Sequence, residues 1–302
     1  MDKVLFGAIE GGGTKMVMAV GTADGVIVER ASIPTETPET TIPKLIHFFQ
    51  DKGIAALGIG SFGPVDMNRD SKTYGYITGT PKPGWADTPF LPIIRDALNV
   101  PVGFDLDVGA AAYGEWKQGA GQGLRNVVYY TIGTGVGAGV ISEGRIVHGM
   151  THPEAGHMLL RPEPDDPAPR GFCPFHDGCL EGLAKGPAIE ARWGKSAKDI
   201  PDDHHAWRLE AAYIAQCMVN TTLLLSPERI ILGGGVMHKR FLFPMIRRKT
   251  AELLGGYVRS PMLLESARLE NYIAPPGLDD DSAIVGCLTM ASELLRTSYY
   301  DK

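Results

Sequence analysis

Several things are scarce in this sequence, and each scarcity removes a class of function. Basic residues do not dominate: 29 Lys and Arg stand against 35 Asp and Glu, a formal net charge of -6. That excludes a protein which holds nucleic acid by a broad basic surface, so any phosphate must be held locally. Long apolar runs are missing, none approaching the roughly 20 residues needed to span a bilayer. No charged leader with an apolar core opens the chain. A cytoplasmic protein is expected, with neither membrane nor nucleic acid among its partners. Four cysteines in 302 residues are too few for a disulfide scaffold. The G-x-x-x-x-G-K-S/T pattern of P-loop enzymes is absent.

Glycine, by contrast, is plentiful, with 38 residues, and its placement organises the chain. The length suits about two domains, each with its own core and with a cleft between them. Apolar runs at 4–9, 16–20 and 26–31 read as an antiparallel meander, and runs at 127–132, 140–141 and 146–148 repeat it. A helix is expected at 41–52 with Thr41 as its cap, a strand at 56–60, helices at 90–98 and 108–117, and a strand at 102–104. The glycines of 119–123 break every pattern and read as a hinge. Residues 149–180 read as an irregular insertion. Helices at 180–193, 207–225, 241–254 and 281–295 and strands at 229–232 and 262–264 complete an α/β chain. The expected domains are 1–117 with the terminal helix at 282–302, and 118–281 with the insertion.

Three glycine loops each follow an apolar strand. They comprise Gly11, Gly12, Gly13, Thr14 and Lys15; Gly133, Thr134, Gly135 and Gly137; and Gly233, Gly234 and Gly235. Without a Cβ, backbone N–H groups can close on phosphate oxygens, and a Thr hydroxyl adds a donor. Three such loops at strand ends point to a nucleotide. Gly133, Gly135 and Ala138 also satisfy a loose G-x-G-x-x-G/A dinucleotide pattern. That fold needs a helix directly after the loop, whereas here a second strand follows.

Cys173, His176 and Cys179 fall within seven residues, and His157 is the natural fourth ligand. Zinc takes four N/S donors in a tetrahedron, so a structural Zn²⁺ with no open position is expected, holding an insertion that has little core. Glu154 lies three residues before His157, and Glu181 follows Cys179 closely. Carboxylates and an imidazole together suit a polyhydroxylated substrate, because each hydroxyl both donates and accepts. In the stretch GFDLDVGAAA at 103–112, Asp107 stands where a strand stops and a helix starts. There it can be a helix cap or a general base at a rim.

With these motifs in view, the chain resembles the ROK (repressor, open reading frame, kinase) family of sugar kinases, and within it the zinc-containing bacterial fructokinase branch. The likeness rests on EGGGTK at 10–15, the acid pair ending in Asp107, TIGTGVGAG at 131–139, HPEAGH at 152–157, CPFHDGC at 173–179 followed by Glu181, and PERIILGGGV at 227–236. It implies two ribonuclease H-like domains of the actin/hexokinase type, with ATP and sugar meeting in the cleft. It further implies Asp107 as general base, Glu154, His157 and Glu181 on the sugar, the first two glycine loops on the phosphates and the third by the adenosine. Mg²⁺ with the nucleotide and a homodimer belong to the same expectation.

Departures from the family pattern narrow the substrate. Family glucokinases carry Asn on both sides of the catalytic Asp, where Leu106 and Gly109 stand here. C-x2-H-x2-C replaces the commoner C-x-C-x4-C, Glu10 stands where many members have Asp, and TPKPGW occupies 80–85. Together these resemble the fructokinase branch and imply conversion of D-fructose to fructose 6-phosphate. The rivals are a kinase for mannose, glucose or N-acetylmannosamine and a sugar-responsive binding protein without catalysis. A strand starting at 4 leaves no room for the helix-turn-helix of the repressor members.

Overall fold

The computed structural model describes residues 4–300; positions 1–3 and 301–302 of the expected end spans lie outside the described residues. The chain divides into two compact units, Met1–Gly123 with Ile146–His152 and Asp281–Lys302, and Leu124–Arg145 with Pro153–Asp280.

In the first unit β1 (Phe6–Gly11), β2 (Lys15–Gly21), β3 (Ile27–Pro34), β4 (Leu57–Ser61) and β5 (Val102–Leu106) form one sheet in the order β3-β2-β1-β4-β5. The first three run antiparallel as a meander, while β4 runs parallel to β1 and β5 parallel to β4. The central strands β1, β2 and β4 are apolar and buried almost throughout, as strands covered on both faces must be, whereas the edge strand β3 is largely exposed. Leu57 and Ile59 join a core with Ile42, Leu45 and Phe49 of α1 (Pro38–Phe49) and Phe90 and Ile94 of α2 (Phe90–Leu98). The alternate residues Gly58 and Gly60 point the other way, onto Cys287 of the terminal helix (Ser282–Tyr300) and Ala110 of α3 (Asp107–Gln118).

Small residues bring α3 and the terminal helix together. A Cβ at Gly286 would overlap the Ala110 carbonyl, and one at Gly114 would overlap that of Ser282. Glu115, fully buried, accepts hydrogen bonds from Ser282 Oγ and Ala120 N at 2.7 Å each. The N–H groups of Gly119 and Gly121 also donate to the Glu115 carbonyl at 3.0 and 2.8 Å. The glycine stretch at 119–123 is therefore tied to the end of α3. Helix α1 is capped four residues before the Thr41 cap that the sequence suggests. Thr37 takes the cap position, because Pro38 supplies a preset φ at a site whose N–H would be unused.

The second unit repeats the topology. β6 (Val127–Ile132), β7 (Val136–Ser142), β8 (Arg145–Ile146), β9 (Arg229–Gly233) and β10 (Ile273–Ala274) lie in the order β10-β9-β6-β7-β8. β6 and β7 are antiparallel, and β6, β9 and β10 run parallel. The order β3-β2-β1-β4-β5 thus recurs as β8-β7-β6-β9-β10, so one α/β plan is used twice, as the two meanders lead one to expect.

Three expected elements of this half differ. The helix at 180–193 is two, α4 (Leu180–Ala184) and α5 (Gly186–Trp193), broken at extended Lys185. Pro187 has no N–H to continue the ladder. The strand expected at 262–264 is a helix, α8 (Pro261–Leu264), following α6 (Ala206–Leu225) and α7 (Leu242–Leu254). Ser260 Oγ accepts the Met262 N–H at 3.3 Å and Pro261 opens the first turn, a start signal that outweighs a short apolar run. The strand expected at 146–148 shrinks to Arg145–Ile146, and residues 146–152 pack with the first unit. The short helix α9 (Ser266–Tyr272) precedes β10.

The insertion at 149–180 has only a single 3₁₀ turn, Ala155–His157. It carries its own buried anchor. Asp166 accepts hydrogen bonds from Arg192 Nε at 2.9 Å, Tyr213 OH at 2.7 Å and Ala168 N at 2.8 Å, and the Asp166 and Arg192 side chains are 0% and 1% exposed. Among the described residues no helix is long and apolar enough to cross a membrane.

Candidate active site and metal centre

In the first unit three parallel strands end at one edge, with Gly11, Ser61 and Leu106 in register. The segments that leave this edge are those most able to present side chains and N–H groups to a ligand. Asp107 follows β5 and is half-exposed between buried Leu106 and Val108. It is the first residue of α3, with Leu106 in the cap position, and its Oδ1 accepts the Val108 N–H at 2.8 Å. The cap reading is thus only partly met. An acid in the first turn gains from the helix dipole, and Asp107 stays half-exposed in that position.

Asp105, two residues earlier, is buried; its Oδ1 accepts the Leu106 N–H at 2.8 Å and its Oδ2 lies 3.0 Å from His148 Nε2. That hydrogen bond is the main reason the His148 imidazole titrates above its usual range. No spacing in the sequence marks His148 as a partner. Leu106 and Gly109 are both buried and offer no polar side chain beside Asp107.

The turn after β1 is shorter than the EGGGTK motif. Gly11 ends the strand and is buried, the Gly12 N–H donates to the Lys15 carbonyl at 3.0 Å, and Thr35 Oγ1 donates to the Gly12 carbonyl at 2.7 Å. Gly13, Thr14 and Lys15 are left exposed at the tip.

In the second unit the turn after β6 covers only Gly133, Thr134 and Gly135, closed by the Gly133 N–H on the Gly135 carbonyl at 2.9 Å. Gly137 lies within β7, opposite Thr131. The break before α5 lets the Gly186 N–H reach the Gly133 carbonyl at 2.7 Å. Gly233 ends β9, Gly234 sits at φ 87°, a value that favours glycine, and Gly235 opens a 3₁₀ turn. A Cβ on Gly133 would stand 3.7 Å from Gly235 N, so these two glycine turns adjoin.

Glu181, in the first turn of α4, accepts the Val136 N–H through Oε2 at 3.2 Å and holds Lys185 Nζ through Oε1 at 3.3 Å. A carboxylate is thereby fixed against the second glycine turn. Lys185 carries a sequence signal in its i,i+4 spacing from Glu181. Glu154 is exposed at the surface, yet partial desolvation of its carboxyl, and then the Glu181 charge, raise that group above the ordinary value.

The four expected ligands converge. One donor atom from each of His157, Cys173, His176 and Cys179 lies within 4.8 Å of all the others. Cys173 Sγ is 3.8 Å from His157 Nδ1 and 3.7 Å from His176 Nδ1, and Cys179 Sγ is 3.8 Å from His157 Nδ1. Tetrahedral zinc with bonds of about 2.0–2.3 Å separates its ligands by roughly 3.3–3.8 Å, so the donor set fits. Burial is the main reason the Cys179 thiol titrates high, and neighbouring Cys173 adds to it. A bound cation would relieve both. The Gly182 N–H donates to Cys179 Sγ at 3.3 Å, the kind of outer contact that orients a ligand.

The sequence model of the ROK family matches residues 6–293. A fructokinase of Pediococcus pentosaceus is 48% identical over 295 residues, covering 98% of this chain and 100% of its own length. A fructokinase of Streptococcus mutans serotype c is 43% identical over 296 residues, 96% and 98% of the two chains. Among solved structures, a ROK hexokinase from Thermus thermophilus matches with a TM-score of 0.77 at 25% identity, covering 97% of this chain and 100% of that one.

Proposed function

The chain belongs to the ROK family, and from that premise we propose that it is an ATP-dependent hexose kinase converting D-fructose to fructose 6-phosphate. One observation carries the mechanism: Asp107 presents a half-exposed carboxylate at the strand edge that also bears the 12–14 turn. Phosphoryl transfer requires an aligned hydroxyl, stabilised phosphate charge and a proton acceptor. Asp107 takes the proton of the C6 hydroxyl as that oxygen bonds to the γ-phosphorus. The bond from the γ-phosphorus to the β,γ-bridging oxygen breaks, and ADP leaves.

Gly13 and Gly135, with Thr14, Lys15 and Thr134, present donors to the phosphates, while Gly12 and Gly133, whose N–H groups close the two turns, and Gly11 and Gly137 in the flanking strands let the backbone approach without a Cβ. Gly233, Gly234 and Gly235 serve the adenosine. Mg²⁺ bound with the nucleotide would supply countercharge. Glu154, His157 and Glu181 exchange hydrogen bonds with the sugar hydroxyls. The relatives' names favour fructose, and the apolar Leu106 beside the base agrees with that choice.

His157, Cys173, His176 and Cys179 would hold a structural Zn²⁺, joining the Ala155–His157 turn to the 173–179 loop. Its Nδ1 faces the thiols, which leaves Nε2 of the same ring for a sugar hydroxyl. Leu223, Leu224 and Leu225, exposed at the end of α6, support a homodimer, and a cytoplasmic location belongs to the same proposal. The test is the product: with ATP and D-fructose, ¹H–³¹P correlation must place the phosphate on the C6 methylene. A phosphate on C1, or no sugar phosphate, rejects the proposal.

A further inference from the structure

The segment Ile146–His152 packs with the first unit although the residues on both sides of it belong to the second. It carries two histidines, and each engages the edge that bears Asp107. His148 Nε2 lies 3.0 Å from Asp105 Oδ2. His152 Nε2 accepts the Val65 N–H at 3.4 Å, in the loop that follows β4. The Asp105 side chain is 4% exposed, and a carboxylate so buried must have its oxygens satisfied. Oδ1 takes the Leu106 N–H and Oδ2 takes His148.

Gly109 makes room for this arrangement. A Cβ at that position would fall directly on Asp105 Oδ1. Gly109 lies inside α3 at an ordinary negative φ, where alanine would normally stabilise the helix. Helix propensity therefore does not account for the glycine, whereas the carboxylate does.

We propose that Asp105 and His148 are a positioning pair, with Gly109 as its required vacancy, which fixes the 146–152 segment as a wall beside Asp107 and so sets the affinity for the acceptor sugar. The proposal rests on the kinase reading for its effect on the sugar, and on geometry alone for the pair itself. Around the two side chains stand Arg69 and Tyr74 from the loop after β4 and Cys287 from the terminal helix. Arg69 opposes protonation of His148, but less than Asp105 favours it. The folded value of His148 is raised, so the pair is fully formed at pH below the ordinary histidine range. It is lost as pH climbs through the raised folded value. KM for the sugar should follow, lowest on the acid side and rising above that value.

The experiment follows histidine Cε1–H resonances against pH in the whole chain and its Gly109→Ala, Asp105→Asn and His148→Gln variants, with KM and kcat for D-fructose measured alongside. The resonance missing from His148→Gln should titrate high in the unaltered chain and fall back towards the ordinary range in Gly109→Ala and Asp105→Asn. KM should rise roughly 5- to 20-fold in Gly109→Ala and His148→Gln, the scale of losing a hydrogen bond to a charged group, with kcat within about twofold. Combining the two changes should add nothing further, because both break one contact. Asp105→Asn, whose amide can donate to neutral His148, should lose the alkaline rise in KM.

A His148 titration unchanged by Gly109→Ala or Asp105→Asn, or KM effects that multiply in the double variant, would overturn the pair. Should Gly109→Ala not fold, the isosteric Asp105→Asn carries the same readout. If the unaltered chain phosphorylates no hexose, the kinase reading fails while the titration still decides the pair.

Discussion

Asp107 Oδ1 accepts the Val108 N–H at 2.8 Å from the first position of α3. Asparagine can make the same bond through its amide oxygen, but it cannot take a proton. Asp107→Asn should therefore melt within a few degrees of the unaltered protein and lose roughly 10²–10⁴-fold in kcat, the usual range for a general base. Circular dichroism and steady-state rates check both halves, and turnover near the original level would remove Asp107 from the chemistry.

Zinc should stabilise a smaller region than the whole insertion. The ligands tie the Ala155–His157 turn to 173–179, whereas Asp166 is anchored separately by Arg192 and Tyr213. Chelation, or Cys179→Ser, should raise amide exchange across 155–158 and 172–182 and raise KM for the sugar through His157. Exchange at Asp166 and Ala168 should stay slow. Elemental analysis should find one zinc per chain in the unaltered protein; metal-free protein with full activity would contradict this.

The Arg192–Asp166 pair makes the complementary prediction. Removing one member of a buried pair strands the other charge, at about 3–5 kcal/mol. Arg192→Met should destabilise the second unit by that order in urea unfolding, far more than Arg170→Met, whose Asp177 partner is exposed. Equal effects from the two variants would show that the buried pair is not the anchor.

Glu210 is fully buried in α6, and its Oε1 has no hydrogen-bond partner among the described residues. Burial raises its carboxyl well above the ordinary value, so the folded chain keeps a proton that the unfolded chain releases above its ordinary carboxylate pKa. Stability must then fall as pH rises from that value towards the raised one. Glu210→Gln should remove this slope and raise the melting temperature at pH 8 more than at pH 5. An equal shift at both would contradict the sign.

Much of this was legible because it is local. The meanders announce themselves by apolar runs with turns between them, and the glycine turns sit directly at strand ends. The Cys and His ligands crowd into a few positions. The failures have two causes: elements and pairs that only tertiary packing makes, and one short helix start set against an apolar run. β10 is two residues long and exists only because β9 offers it an edge, and no periodicity fits in Ile273–Ala274. The helix at Pro261–Leu264 depends on Ser260 and Pro261, local signals outweighed in the reading by Met262, Leu263 and Leu264. Asp166 meets Arg192 and Tyr213 across 26 and 47 positions, and Asp105 meets His148 through a segment that leaves its neighbours' unit. Such pairs depend on tertiary packing, which spacing does not encode. Gly109 is instructive: beside Asp107 it reads as a clue to the sugar, while the structure shows it making room for Asp105.

The central claim meets its most direct test in kcat/KM, measured by ADP release with ATP and a panel of D-fructose, D-glucose, D-mannose and N-acetylmannosamine. D-Fructose should lead the others by at least about tenfold, the discrimination a shaped and hydrogen-bonded pocket readily achieves. Release of no ADP with any of them, or a lead by another hexose, would contradict it.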